Sequence, residues 1–382
     1  MRIFRHVFVT TTVLFPALVG AEPPTPFDPN SLDQLRLNQI QVIGSHNSYK
    51  VAFEPELYQM MLAKAPETEA LDYAHPPLSD QLNLGLRNLE LDVYYDPTGG
   101  RYSKPLGLEI VRAAGGDPQP YDPQQEMGQP GFKILHIQDL DFRSHCATLA
   151  AALIEIRAWS EQHPRHLPIM ITLNCKENAI DLPGSTPPLP FDLAAFDALD
   201  EEILANLGKE KLILPDDVRG DAETLEAAVL ASAWPRLASA RGRFLLVLDE
   251  TGPKQEKYLV DHPSLRGRVL FVNSQPGRPE AAVMIRNNPR TEAEEITRLV
   301  ELGYLVRTRA DEGTREAREN DFSRFDAAKA SGAQVISTDY YLADWRLNAN
   351  FRIRFARHRC SRLNRVTCPQ VDRNNNKDLP LE

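Results

Sequence analysis

Gln39-Ile40-Gln41-Val42-Ile43-Gly44-Ser45-His46-Asn47-Ser48-Tyr49 is a short apolar run that stops at Gly-Ser and then presents a histidine and an asparagine. It reads as a buried strand whose end carries chemistry, because imidazole moves protons near neutral pH and an amide oxygen suits a hard cation. Leu86-Arg87-Asn88-Leu89-Glu90-Leu91-Asp92-Val93 places two acids two residues apart, so on a strand both leave the same face. A third run, Phe132 to Ile137, ends in His136, and a fourth, Leu167 to Leu173, runs into Asn174-Cys175-Lys176-Glu177. Polar chemistry thus sits at four strand ends.

Working outward, apolar β-branched runs recur at Gln39–Ile43, Leu86–Val93, Lys133–Ile137, Leu167–Leu173, Arg243–Leu248, Arg268–Val272, Tyr304–Arg307 and Gln334–Ser337. Ala281 to Ile285 competes for the sixth place. Helical patterns lie between the runs; Cys146 to His163 carries Leu149, Leu153, Ile156 and Trp159 on one stripe and ends before Pro164. Strands alternating with helices imply a parallel α/β sheet, and eight of them imply a closed barrel. In such a barrel every strand's C-terminal end lies on one rim, so His46, Asn47, Glu90, Asp92, His136 and Asn174 are expected to converge. Two long interruptions, Tyr94–Pro130 and Ala179–Gly242, are expected to be loops beside that rim, the second with a helix over Leu193–Leu207.

The N-terminus is basic at Arg2 and Arg5, apolar from Val7 to Leu18 and small at Val19-Gly20-Ala21. Residues 1–21 therefore read as a signal peptide, too short to span a bilayer, and the protein as secreted or periplasmic. The 382 residues carry a net charge of −10, which disfavours a nucleic-acid partner and leaves any membrane contact local and transient. One domain over 22–347 is expected, as a monomer, with 348–382 a basic, polar tail. Of four cysteines, Cys360 and Cys368 are the expected pair, while Cys146 and Cys175 suit either a second bridge or buried thiols.

Ser45-His46-Asn47-Ser48-Tyr49, Leu89-Glu90-Leu91-Asp92, His136 in its strand, Leu173-Asn174-Cys175-Lys176-Glu177 and Ser337-Thr338-Asp339-Tyr340-Tyr341 together resemble the phosphatidylinositol-specific phospholipase C superfamily, in its secreted, calcium-dependent bacterial branch. The resemblance runs from about Leu37 to Tyr341. It implies a distorted (β/α)8 TIM-type barrel with long loop insertions. It also implies cleavage of an inositol phospholipid to diacylglycerol and an inositol (cyclic) phosphate, using two histidines and one Ca2+.

Carried over residue by residue, the resemblance makes His46 and His136 catalytic: His46 stabilises the phosphate, and His136 does likewise or protonates the leaving oxygen. Asn47, Glu90 and Asp92 become Ca2+ ligands, with Glu90 or Asp92 also able to take the ring hydroxyl proton. Asn174 stands where the family usually has a carboxylate, so it coordinates without charge unless Glu177 replaces it. Lys176, Arg309 and Asp339 are expected to bind substrate, Arg307 and Asp311 to do so or to form an ion-pair cluster, and Asp139-Leu140-Asp141 to be a loop or cap. Two other readings stand beside this one: a glycerophosphodiester phosphodiesterase on a similar barrel, and a non-catalytic barrel binding sugar phosphates or lipids.

Overall fold

The computed structural model describes residues 32–356, 359–364 and 366–367. The expected signal peptide and Cys368 lie outside them. Among the described residues there are ten strands: β1 (Ile40–Ser45), β2 (Asn88–Asp96), β3 (Gly131–Ile134), β4 (Ile169–Cys175), β5 (Phe244–Leu248), β6 (Phe271–Val272), β7 (Val283–Ile285), β8 (Leu305–Arg309), β9 (Val335–Thr338) and β10 (Ser361–Leu363). They form two five-stranded sheets, β10-β1-β9-β8-β7 and β3-β2-β4-β5-β6. Backbone hydrogen bonds bridge both seams. Arg87 N donates to Ile43 O at 3.0 Å and Ser48 N to Glu90 O at 2.9 Å, while Ser274 N donates to Val283 O at 3.1 Å. The parallel strands β1, β2, β4, β5, β6, β7, β8 and β9 thus ring one interior.

The staves differ from the expected set in one exchange. The Lys133–Ile137 run supplies β3, which pairs antiparallel to the outer half of β2, Val93 opposite Ile134 and Asp96 opposite Gly131. It is a flap above the ring rather than a stave. Both competitors for the sixth place are strands, β6 and β7, which keeps the number at eight. Period and apolarity mark a buried strand but not its direction, so a descending hairpin arm and a stave look alike in sequence.

Along β2, Leu89, Leu91 and Val93 join the large apolar cluster with Leu149, Leu153 and Ile156 of the helix Leu149–Gln162. Asn88, Glu90 and Asp92 alternate with them and face the barrel interior. There Gly44 is required, because a Cβ at that position would come within 2.4 Å of Asn88 Cβ. Thr148 caps the Leu149–Gln162 helix by accepting from Ala151 N, and Asp192 does the same for Leu193–Leu207 through Ala195 N. No helix of the described residues is long and apolar enough to cross a membrane.

The segment after Asn348 is not a peripheral tail as far as it is described. Phe351, Ile353 and Phe355 are buried in a second apolar cluster. β10 pairs antiparallel with the first half of β1, Ile40 opposite Leu363, on the edge that faces β2. β1 and β2 therefore meet only from Ile43 upward. Cys146 and Cys175 are buried thiols, not a bridge; Cys146 Sγ points at Glu155 Oε2, 3.4 Å away.

Candidate active site

The turn after β1 is locked before it presents anything. Ser45 Oγ donates to Gln81 Oε1 and contacts Ser48 Oγ, each at 2.6 Å, and Ser48 Oγ accepts from Glu90 N at 2.8 Å. Asn47 takes a left-handed φ of 46°, a conformation asparagine tolerates better than most residues, and its Nδ2 donates to Tyr73 Oη at 2.7 Å. This turn swings His46 over the barrel mouth.

His46 Nδ1 lies 3.0 Å from Asp339 Oδ1, and Nε2 lies 3.6 Å from Glu90 Oε1. Arg309 Nη2 is 3.3 Å from both Asp339 Oδ2 and His46 Nδ1. Burial holds the imidazole below its ordinary pKa and Arg309 adds to this, against the pull of Asp339 and Glu90. Burial alone would raise Asp339, but His46, His75 and Arg309 outweigh it and hold the carboxyl well below its usual range. Asp339, expected to bind substrate, faces His46 and Arg309. Beneath it Asp311 accepts from Asp339 N and Thr338 Oγ1, and burial with Asp339 beside it pushes Asp311 up to about 7.

His136 reaches the same rim by a different route. β3 descends beside the outer half of β2, and after Ile134 a tight loop returns so that Ile137 N donates to Asp141 O at 3.1 Å. His136 Nδ1 then lies 2.8 Å from Asp141 Oδ2. Asp139, expected in a loop or cap, accepts from Leu106 N at 2.9 Å and from Thr186 N at 2.6 Å, tying the two long insertions together. Asp141 is more than a cap. Burial would raise its carboxyl, but Lys50 and His136 outweigh that and lower it.

Between the two histidines run the acids of β2. Glu90 is clasped by Arg307 from β8; burial opposes ionisation, yet Arg307, His46, Arg309 and Lys176 hold Glu90 below the usual carboxylate range. Asp92 is 1% exposed, and neither of its oxygens accepts a well-directed hydrogen bond. Lys176 Nζ lies 2.9 Å from Asp92 Oδ2 as a charge partner, off the hydrogen-bond direction. The buried Tyr49 phenol feels both Asp92 and Asp141, which places it between the β2 acids and the His136 arm.

Asn174 pairs with Asp92 across β4 and β2, so the two side chains stand on the same face. The next strand continues the row. Asp249 N donates to Leu173 O at 2.8 Å, and Asp249 Oδ1 accepts from Asn273 Nδ2 at 3.1 Å. Burial pushes Asp249 up to about 6, Glu90 and Glu250 adding and Arg307 opposing. Sequence reasoning missed Asp249 because it is one acid after an ordinary apolar strand. Glu177, the alternative ligand, is turned into its loop, where Oε2 accepts from Phe191 N at 2.8 Å.

Asn47, Glu90, Asp92 and Asn174 offer oxygen only, and the buried, poorly satisfied oxygens of Asp92 suit a hard divalent cation such as Ca2+. Among the described residues no three His, Cys, Asp or Glu side chains form a group that could hold a metal ion. Beside His46 a cavity of about 200 Å³ is lined by Tyr73, His75, Asp339, Tyr341, Leu342 and Trp345.

Known proteins share this fold. A search of curated proteins finds no match. Among solved structures, the calcium-dependent phosphoinositol-specific phospholipase C of a Gram-negative Pseudomonas superposes with a TM-score of 0.53 at 17% identity, over 90% of this chain and 100% of that one. The Ca2+-dependent phosphatidylinositol-specific phospholipase C of Streptomyces antibioticus gives 0.50 at 19% identity, over 80% and 95%. At such identities these structures share the fold. The family model described as phosphoinositide phospholipase C, Ca2+-dependent, matches residues 35–365. The chain belongs to this Ca2+-dependent phosphoinositide phospholipase C family of phosphoric diester hydrolases.

Proposed function

We propose that His46 and His136 divide the proton transfers by which this enzyme opens the phosphodiester of an inositol phospholipid. The observation that carries the assignment is the pair of imidazole–aspartate contacts, His46 with Asp339 at 3.0 Å and His136 with Asp141 at 2.8 Å. An aspartate on Nδ1 fixes ring orientation and leaves Nε2 for substrate. His46, held below its ordinary pKa, is neutral at pH 7 and so accepts the proton of the ring 2-hydroxyl.

That hydroxyl forms the new oxygen–phosphorus bond in line as the bond to the glycerol oxygen breaks, and His136 gives its proton to the departing oxygen. Products are diacylglycerol and the 1,2-cyclic phosphate, and attack from within one molecule removes much of the entropic barrier. Asn47, Glu90, Asp92 and Asn174 would hold the Ca2+ ion, which would supply positive charge to the phosphoryl oxygens. Arg309 and Lys176 add fixed positive charge at the same mouth. Glu90 is a poor candidate for the base, since Arg307 clasps it.

The substrate lies in a bilayer, and the loop after β9 carries Leu342, 40% exposed, and Trp345, 83% exposed, on the wall of the cavity beside His46. These residues are proposed to touch the lipid surface transiently. Export completes the reading, resting on the basic and apolar pattern of residues 1–21. The test is phosphorus NMR of the products from phosphatidylinositol with and without Ca2+. A cyclic inositol phosphate formed with Ca2+ supports the reading, and glycerol 3-phosphate or no turnover overturns it.

A further inference from the structure

Lys50 has no exposed surface, and its ammonium lies 3.1 Å from Asp141 Oδ2. The same oxygen lies 2.8 Å from His136 Nδ1. The ammonium also stands over the Phe53 ring at 4.4 Å and the Tyr73 ring at 5.0 Å, and it makes no well-directed hydrogen bond. Its backbone is tied to both catalytic arms. Lys50 N donates to Asn47 O at 2.9 Å on the His46 side, and Lys50 bridges Ser144 on the Asp141 side.

Packing alone does not call for a charge here, because methionine would fill the same volume without desolvating an ammonium. We infer that Lys50 is a positioning residue for His136, acting through Asp141: it keeps that carboxylate ionised and turned toward Nδ1, so that the His136 ring is held in one orientation. The assignment rests on the role proposed for His136. The other titratable groups facing Asp141 are the phenols of Tyr49, Tyr73 and Tyr94, each pushed up by burial and by Asp141 itself, with Asp92 beyond Tyr49. Lys50 and His136 are therefore the groups that counter its charge, in agreement with the lowered carboxyl of Asp141.

The test compares wild type with Lys50→Met, Lys50→Arg and Asp141→Asn in kcat and KM against pH, with folding followed by near-UV circular dichroism. Lys50→Met removes the cation that holds Asp141 toward His136, so the His136 ring loses its fixed orientation. We expect kcat to fall about 10-fold or more at pH 7 with KM nearly unchanged, and the nitrogen-15 signature of the His136 ring to change. Lys50→Arg restores both. A folded Lys50→Met with the wild-type kcat and ring signature overturns the inference.

If Lys50→Met does not fold, Lys50→Arg and Asp141→Asn decide. Asp141→Asn should lower kcat with KM nearly unchanged and change the His136 ring signature, and a wild-type kcat and signature in that variant overturn the inference equally. Nitrogen-15 NMR of the His136 ring, free of substrate, gives a readout apart from turnover. An unchanged ring signature in folded Lys50→Met counts against Lys50 alone, whereas full activity in His136→Ala counts against the proposed reaction.

Discussion

Arg307 reaches from β8 across the barrel interior to Glu90 on β2, with both side chains almost wholly buried. Its other arm donates to Asn287 Oδ1 at 2.6 Å. Glu90 can therefore stay ionised before any cation arrives. Arg307→Met should leave an uncompensated buried charge and cost about 3 kcal/mol, since breaking one side of a buried pair costs roughly 3–5 kcal/mol. Urea unfolding in chelator measures this. The double variant with Glu90→Gln should recover part of the loss, and equal stability of the single variant and wild type would refute the pairing.

His46→Ala and His136→Ala should each lower turnover at least ~100-fold, the scale of a general acid or base. Asp339→Asn should lower kcat by a similar factor while leaving KM within about 2-fold, because it disturbs the orientation of His46 and not substrate contact. Steady-state kinetics on phosphatidylinositol checks all three. Wild-type turnover in any of them would remove that residue from the reaction.

Chelator should abolish activity and added Ca2+ restore it. Independently of turnover, Ca2+ at about 100 times its Kd should stabilise the fold by about 2.7 kcal/mol. Asp92→Asn should weaken this shift, and Asn174→Asp should strengthen it by adding a carboxylate beside Asp92. Calorimetric titration reads both variants. Full activity of wild type in chelator is the result that would exclude the ion.

Stability in chelator should peak near pH 4. Asp339, Asp141 and Glu90 have depressed folded-state values, so their contribution is present above the unfolded carboxyl pKa, about 4, and fades as pH falls below it. Asp200 and Asp249, raised to about 6, and Asp311 and Glu202, raised to about 7, act oppositely: they bind protons more tightly when folded, so stability declines as pH rises through 6 to 7. Unfolding free energies measured from pH 3 to 8 check both limbs. A monotonic rise up to pH 8 would contradict them.

Trp345→Ala should reduce turnover on phosphatidylinositol vesicles about 10-fold, with little change on a soluble inositol phosphodiester, because it sits on the cavity wall and not on His46. Sedimentation with zwitterionic vesicles should fall in parallel. Equal losses on both substrates would place Trp345 in the chemistry and not at the lipid surface.

Much of the fold was legible because the staves are apolar on both faces, and a run such as Ile169–Leu173 or Phe244–Leu248 has few other uses. His46, Glu90 and Asp92 were legible for the same reason: polar residues directly after or alternating within such runs must face the mouth. What escaped depends on distant partners. Asp141 is defined by a return loop that brings it under His136, and Asp249 gains meaning only from the register that sets it in line with Asn174 and Asp92. Beyond Asn348 the basic composition masked Phe351, Ile353 and Phe355, whose burial follows from contacts with β1 and β9 neighbours far back in the chain.

β10 has a bearing on biogenesis. It wedges against the first stave, so the ring's opening strand gains its last edge partner from residues 361–363, some 320 positions downstream. A ribosome-bound chain lacking that stretch holds an unzipped first strand with a free edge. Full closure waits until residues 361–363 have been made.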